Sequence, residues 1–141
     1  MNLYADSSFL VSLYLLDVHT AEAVRRMAAK PNLWLTPFHE TEIAHSISQS
    51  VFRGRVTQKQ ANLASRSFAR DCEGGLWRRI EFPPAAFRTS VALAGRFGAR
   101  IGSRTLDSLH VACALELKAE RFWTFDERQA KVAKAAGLKT T

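Results

Sequence analysis

The chain has 141 residues and a mass of 15.8 kDa, enough to bury one real core and too little for two ordinary domains. Hydrophobic residues are 47% and charged residues 23%, a globular balance that excludes a disordered or collagen-like polymer. A net charge of +7 and a pI near 10 favour a polyanionic partner, either nucleic acid or an anionic membrane surface.

Residues 2–5 form a short apolar strand candidate, and residues 8–16 continue as an apolar helix followed by an amphipathic one over 21–29. Residues 33–35 read as a second strand. Thr36-Pro37 then has the form of an N-cap with proline at the first helical position, and Ile43, Ile47 and Val51 mark that helix's buried stripe up to Gly54. A helix over 57–72 closes at Gly74-Gly75, and residues 77–82 alternate around Arg78-Arg79 as an edge strand does. Pro83-Pro84 opens a helix through Phe97. Thr105 is placed to cap an apolar helix carrying Leu106, Leu109, Cys113 and Leu117. A strand over 122–125 and a helix capped by Asp126 or Thr124 follow; the helix stops at Gly137, before a last strand over 138–140. Strands alternating with helices predict an α/β fold with a mostly parallel central sheet, in one domain spanning 1–141.

The charge is unevenly spread. Residues 1–52 carry three basic and five acidic side chains, residues 53–104 eleven and three, and residues 105–141 six and five. The surplus therefore lies in the middle third, where ten of the eleven bases are arginines, whose planar fork suits phosphate oxygens. Cys72 and Cys113 have no C-x-x-C neighbour or ligand pattern, so neither a disulfide framework nor a zinc site is indicated, and a reducing cytoplasm is the expected compartment. The apolar run at 7–16 is too short for a membrane span and lacks the basic leader of an export signal.

In a parallel sheet, sites form beyond the carboxyl ends of the strands, where residues distant in sequence converge. Asp6 follows the first strand, Asp126 follows the fourth, and Asp107 lies in the first turn after Thr105. Glu42 sits about a turn into the helix after strand two. Singly, each aspartate is explained by helix capping and each glutamate by a solvated helix face. As a set, the four acids stand out on a chain with few acids and an excess of base. Clustered carboxylates repel and need shared protons or a cation. Oxygen-only ligation suits Mg²⁺, or Mn²⁺, which keeps waters of its own and supports phosphodiester hydrolysis.

At these residues the sequence resembles the PIN-domain family, and within it the small VapC-type ribonuclease toxins of toxin–antitoxin pairs. The resemblance is carried by Tyr4-Ala5-Asp6-Ser7-Ser8-Phe9-Leu10, Thr36-Pro37-Phe38-His39-Glu40-Thr41-Glu42-Ile43, Leu106-Asp107-Ser108-Leu109-His110-Val111-Ala112 and Thr124-Phe125-Asp126-Glu127-Arg128, in the family's order across nearly the whole chain. It implies a three-layer α/β/α sandwich and Mg²⁺-dependent endoribonuclease activity leaving 3′-hydroxyl and 5′-phosphate ends. It also implies an antitoxin protein as partner and a homodimer. Asp6, Glu42, Asp107 and Asp126 match the family's acidic metal positions. Ser7 and Thr124 match polar residues that support them. Glu40 is an alternative to Glu42, and Glu127 to Asp126. Arg78, Arg79 and Arg104 are the candidates for gripping the RNA backbone, a contact that supplies affinity without base choice.

The remaining polar and aromatic signals read as structural. His39 and His45 are six apart and do not form the H-E-x-x-H zinc pattern, so both are expected to be solvated or to pack within the helix. His110 reads as a satisfied histidine at the core edge, and Trp34, Trp77 and Trp123 as core residues. The alternatives are a basic PIN-like module that binds RNA or protein without cleaving, and a phosphatase of the haloacid dehalogenase type. The latter class wants a second aspartate at position 8, where this chain has Ser8.

Overall fold

The computed structural model describes residues 2–140. The chain divides into two compact units, one made of the residues up to Asp6 together with those from Glu81 onward, the other of Ser7–Ile80. The predicted alternation of strands and helices is present apart from the last strand, and among the described residues the strands pair in parallel as two two-stranded sheets in place of one continuous central sheet.

In the first unit β1 (Leu3–Ala5) pairs in parallel with β4 (Arg121–Trp123), with Leu3 opposite Arg121 and Ala5 opposite Trp123. Every residue of β1 is buried, as a strand covered on both faces must be, and Phe122 stacks on Tyr4 with ring centroids 5.5 Å apart. The predicted last strand is reduced to one parallel bridge, Arg121 to Lys139. Between β1 and β4 run α5 (Ala85–Leu93), a π turn over Ala94–Gly98, α6 (Ala99–Ile101) and α7 (Thr105–Glu116). After β4 comes α8 (Glu127–Ala135), ended by Gly137 at φ +97°, a left-handed backbone that glycine adopts without strain.

Helix α7 is buried almost all round from Ser108 to Ala114, so its polar groups must find partners inside. His110 does so through the Tyr4 hydroxyl, 2.7 Å from its Nδ1, as expected of a satisfied core histidine. Cys113 lies beside them, its thiol pushed up to about 12 by burial. Two expectations for this helix change. Arg104, with no side-chain cap bond, holds the N-cap position in place of Thr105, and Leu106 is exposed because the buried stripe begins only at Ser108.

The second unit contains α1 (Ser7–Tyr14), α2 (Thr20–Met27), β2 (Trp34–Leu35), α3 (Pro37–Phe52), α4 (Gln58–Glu73) and β3 (Arg78–Arg79). Strands β2 and β3 pair in parallel, with Arg78 N–H donating to the Leu33 carbonyl at 2.8 Å and Ile80 N–H to the Leu35 carbonyl at 3.0 Å. Helix α3 starts as its sequence predicts, at Thr36-Pro37, and α4 starts with Thr57 and Gln60 exchanging side-chain bonds with each other's backbone. Of the two roles expected for His39, solvated or packed within its helix, the structure has the second: it is fully buried, and its Nδ1 accepts the Thr36 N–H at 3.1 Å, completing a capping box. Tyr14 donates to Asp71 at 2.7 Å, and burial followed by that carboxylate raises its phenol well above the ordinary range. Trp34, Trp77 and Trp123 are all core residues. Among the described residues no helix is long and apolar enough to cross a membrane.

Candidate active site

Register places the first two site residues. Ala5 lies opposite Trp123, and Asp6 N–H extends the ladder by donating to the Trp123 carbonyl at 3.0 Å. The residues just beyond the two strands, Asp6 and Thr124, are thereby brought together, and the Thr124 hydroxyl lies 2.8 Å from Asp6 Oδ2. Asp6 is only 4% exposed, so this bond is made out of competition with bulk water.

Thr124 also organises the next turn. Its Oγ1 accepts the Asp126 N–H at 3.0 Å, and Asp126 caps α8 by accepting the Gln129 N–H on Oδ1 at 2.8 Å. The buried Gln129 amide sits 2.9 Å from Thr124 Oγ1 through Oε1, and through Nε2 donates to the Asp107 backbone carbonyl at 3.2 Å. Thus Asp6, Thr124, Asp126, Gln129 and Asp107 form one connected network across the ends of β1, β4, α7 and α8. Arg104 closes it from outside: its Nε donates to Asp107 Oδ2 at 3.1 Å, and its terminal nitrogen lies 3.8 Å from Asp126 Oδ2.

In the second unit Ser7, the residue bonded to Asp6 in the chain, opens α1 and donates to Glu42 Oε1 at 2.8 Å. Glu40, two positions earlier on α3, is instead paired with Arg79 at 2.5 Å. Of the arginines proposed to hold a nucleic-acid backbone, Arg79 is therefore partly neutralised by Glu40. Arg78 is exposed beside Trp34, its guanidinium carbon 5.9 Å from the ring centroid, and Arg104 is committed to the two aspartates. Glu127 is exposed at the start of α8, whereas Asp126 is half-buried.

The side chains as they stand do not form a ready-made cage: among the described residues no group of three or more His, Cys, Asp or Glu is disposed to hold a metal ion. Donor chemistry and number nevertheless fit Mg²⁺ or Mn²⁺. These ions take hard oxygens, and Mg²⁺ is commonly held by one or two carboxylates with waters completing its shell. Asp107 and Asp126 already point one oxygen each at a single cationic group, the Arg104 guanidinium.

Gln129 is the site residue that the sequence reading missed. The available signal was its position three residues after the Asp126 cap, the spacing at which Glu or Gln completes a capping motif.

The PIN domain family model matches residues 3–135. The chain belongs to the PIN domain family. Its α/β architecture agrees with solved structures of that kind. VapC20 of Mycobacterium tuberculosis, described as a sarcin–ricin loop cleaving toxin, aligns with a TM-score of 0.73 and 18% identity over 99% of this chain and 98% of that one. FitAcB of Neisseria gonorrhoeae aligns at 0.67 and 12% identity over 98% and 95%. VapBC2 of Rickettsia felis, solved with a DNA fragment from its promoter, aligns at 0.65 and 13% over 99% and 97%. No curated protein matches the chain by sequence. Membership of the PIN family sets aside the haloacid dehalogenase reading.

Proposed function

We propose that this PIN-domain protein is a Mg²⁺-dependent endoribonuclease, the toxin of a toxin–antitoxin pair, acting in the cytoplasm. The observation that carries the reading is the hydroxyl of Thr124 tying the buried Asp6 carboxylate to the Asp126 turn, at the carboxyl ends of two paired parallel strands. The family model runs across both compact units, which supports treating the chain as one PIN domain. RNA as substrate is supported by the sarcin–ricin loop cleaving toxin among the similar structures, and by the arginine surplus of residues 53–104. A protein partner of the antitoxin kind is supported by the VapBC2 structure. A homodimer is part of the same proposal.

Asp6, Asp107 and Asp126, with Glu42, would hold Mg²⁺ or Mn²⁺, directly or through water. When bound, such an ion supplies electrophilic stabilisation of the phosphate and lowers the pKa of water. The chain's own residues then have separable tasks. Thr124 fixes the Asp6 carboxylate by donating to Oδ2, and Ser7 fixes Glu42. Asp126 spends Oδ1 on the α8 cap and presents Oδ2 outward, while Gln129 anchors α7 at the Asp107 carbonyl. Arg78 would grip a backbone phosphate without reading sequence.

Replacing Asp6 by Asn keeps the shape and an acceptor for Thr124 but removes the charge. Mg²⁺-dependent cleavage of RNA should fall about a hundredfold or more, with the circular dichroism spectrum and melting temperature close to wild type. Cleavage at the wild-type rate would sink the assignment. The clasp of Arg104 on two of the four acids favours a second reading, a module that binds RNA without cutting it. Absence of Mg²⁺-stimulated turnover in the wild-type protein, with RNA binding retained, would select that reading.

A further inference from the structure

Two carboxylates facing one point repel unless something positive lies between them, and in this protein that role is filled from within the chain. Asp107, whose side chain is 15% exposed, and Asp126, at 34%, each turn an Oδ2 toward Arg104. Asp126 cannot relax away, because Oδ1 is fixed by the Gln129 N–H, and Asp107 rides on a helix anchored to the same glutamine. The Arg104 side chain is 69% exposed, and the residue occupies the extended N-cap position of α7, two residues after Gly102 at φ +72°. The acids are thus held by the fold, whereas the cation is on a solvent-facing arm.

We propose that Arg104 is an intrinsic counter-cation that competes with a divalent metal ion for Asp107 and Asp126, so that metal entry displaces the guanidinium. The inference rests on the reading of these aspartates as metal ligands. It gives Arg104 two positions with different work. Before metal entry it neutralises the acids and keeps their geometry without a charge penalty. Once displaced, it is a positive group at the rim of the same pair of acids, where the phosphodiester of a nucleic acid would be drawn. A divalent ion wins the contest because it carries twice the charge in a smaller volume and accepts both oxygens at once.

The test is isothermal titration of the full chain with MnCl₂ at fixed ionic strength, which reads metal binding independently of catalysis. Arg104→Gln should bind Mn²⁺ about threefold to fivefold tighter than wild type, the size set by an exposed ion pair. Arg104→Lys, which keeps the charge and the fold but loses the fork that reaches both acids, should tighten binding about twofold. Arg88→Gln removes the same charge from an exposed position on α5 with no part in the pair, and should leave Mn²⁺ affinity unchanged. Measurable wild-type binding that Arg104→Gln fails to tighten, or that Arg88→Gln tightens equally, overturns the proposal and leaves the metal reading intact. No binding by any of the proteins overturns both together.

Discussion

The Gln129 amide is buried and its orientation is decided by a single partner. Nε2 must face the Asp107 carbonyl, an acceptor, so Oε1 faces Thr124. The Thr124 hydroxyl therefore has one proton and two acceptors in reach, Asp6 Oδ2 at 2.8 Å and Gln129 Oε1 at 2.9 Å. A carboxylate is the stronger acceptor, which assigns the proton to Asp6 and leaves Gln129 as the alternative when the charge of Asp6 is drawn elsewhere. Gln129→Met preserves length and volume while deleting both amide contacts. It should lower unfolding stability in urea by about 1 kcal/mol, the lost hydrogen bond to the Asp107 carbonyl partly offset by apolar burial. Its effect on RNA cleavage should exceed that on stability, because α7 loses its anchor beside Asp107. A variant with wild-type stability and wild-type cleavage would reduce Gln129 to a space-filling role.

The helix starts show where local chemistry decides an element and where it does not. Thr36 and Thr57 both cap long helices, but Thr57 is exposed whereas Thr36 is 1% exposed and is bound up with the buried His39 ring. Thr57→Ala should cost about 1 kcal/mol and Thr36→Ala about 2, because only the second leaves cap groups away from water without a partner. Thermal and urea denaturation of the two variants side by side would check the order, and equal losses would refute it. These starts were legible because Thr, Pro and Gln act within three residues of themselves. The π turn over Ala94–Gly98 was not, since Gly95 and Gly98 weaken a helix without specifying how its turn widens, and the widened turn accompanies the burial of Phe97. The same distinction runs through the candidate site. Asp6 and Asp126 were legible as acids directly after apolar strands. The ion pair of Glu40 with Arg79 spans 39 positions, and the Gln129 contact with Asp107 spans 22, so neither left a local trace. On a regular helix Glu40, three residues before Ile43, lies nearer the Ile43–Ile47 stripe than Glu42 does, yet in the folded unit Glu42 is the one bonded to Ser7.

For the molecule as a whole, the net charge acquires a location. All eleven basic residues of 53–104 are exposed, and the three acids of that segment do not pair with them among the ion pairs of the described residues. Arg79 turns instead to Glu40 and Arg104 to Asp107 and Asp126, so those two contribute least to an unscreened positive field. Arg96 and Arg100 differ. Their guanidinium carbons lie 4.8 and 5.6 Å from the centre of the Phe97 ring, which steadies the arms without cancelling their charge and sets the two as a short row beside one ring. A single-stranded nucleic acid held by such a row releases counterions as it binds, and each phosphate contact contributes about 0.7 to the slope of log affinity against log salt. Arg96→Gln with Arg100→Gln should therefore flatten that slope by roughly 1.4 for a labelled RNA titrated by fluorescence anisotropy across a KCl series. Lys131→Gln with Lys134→Gln removes the same charge from α8, outside the basic segment, and should leave the slope close to wild type. Equal flattening by both pairs would show that the surplus acts only through net charge, and not through this row.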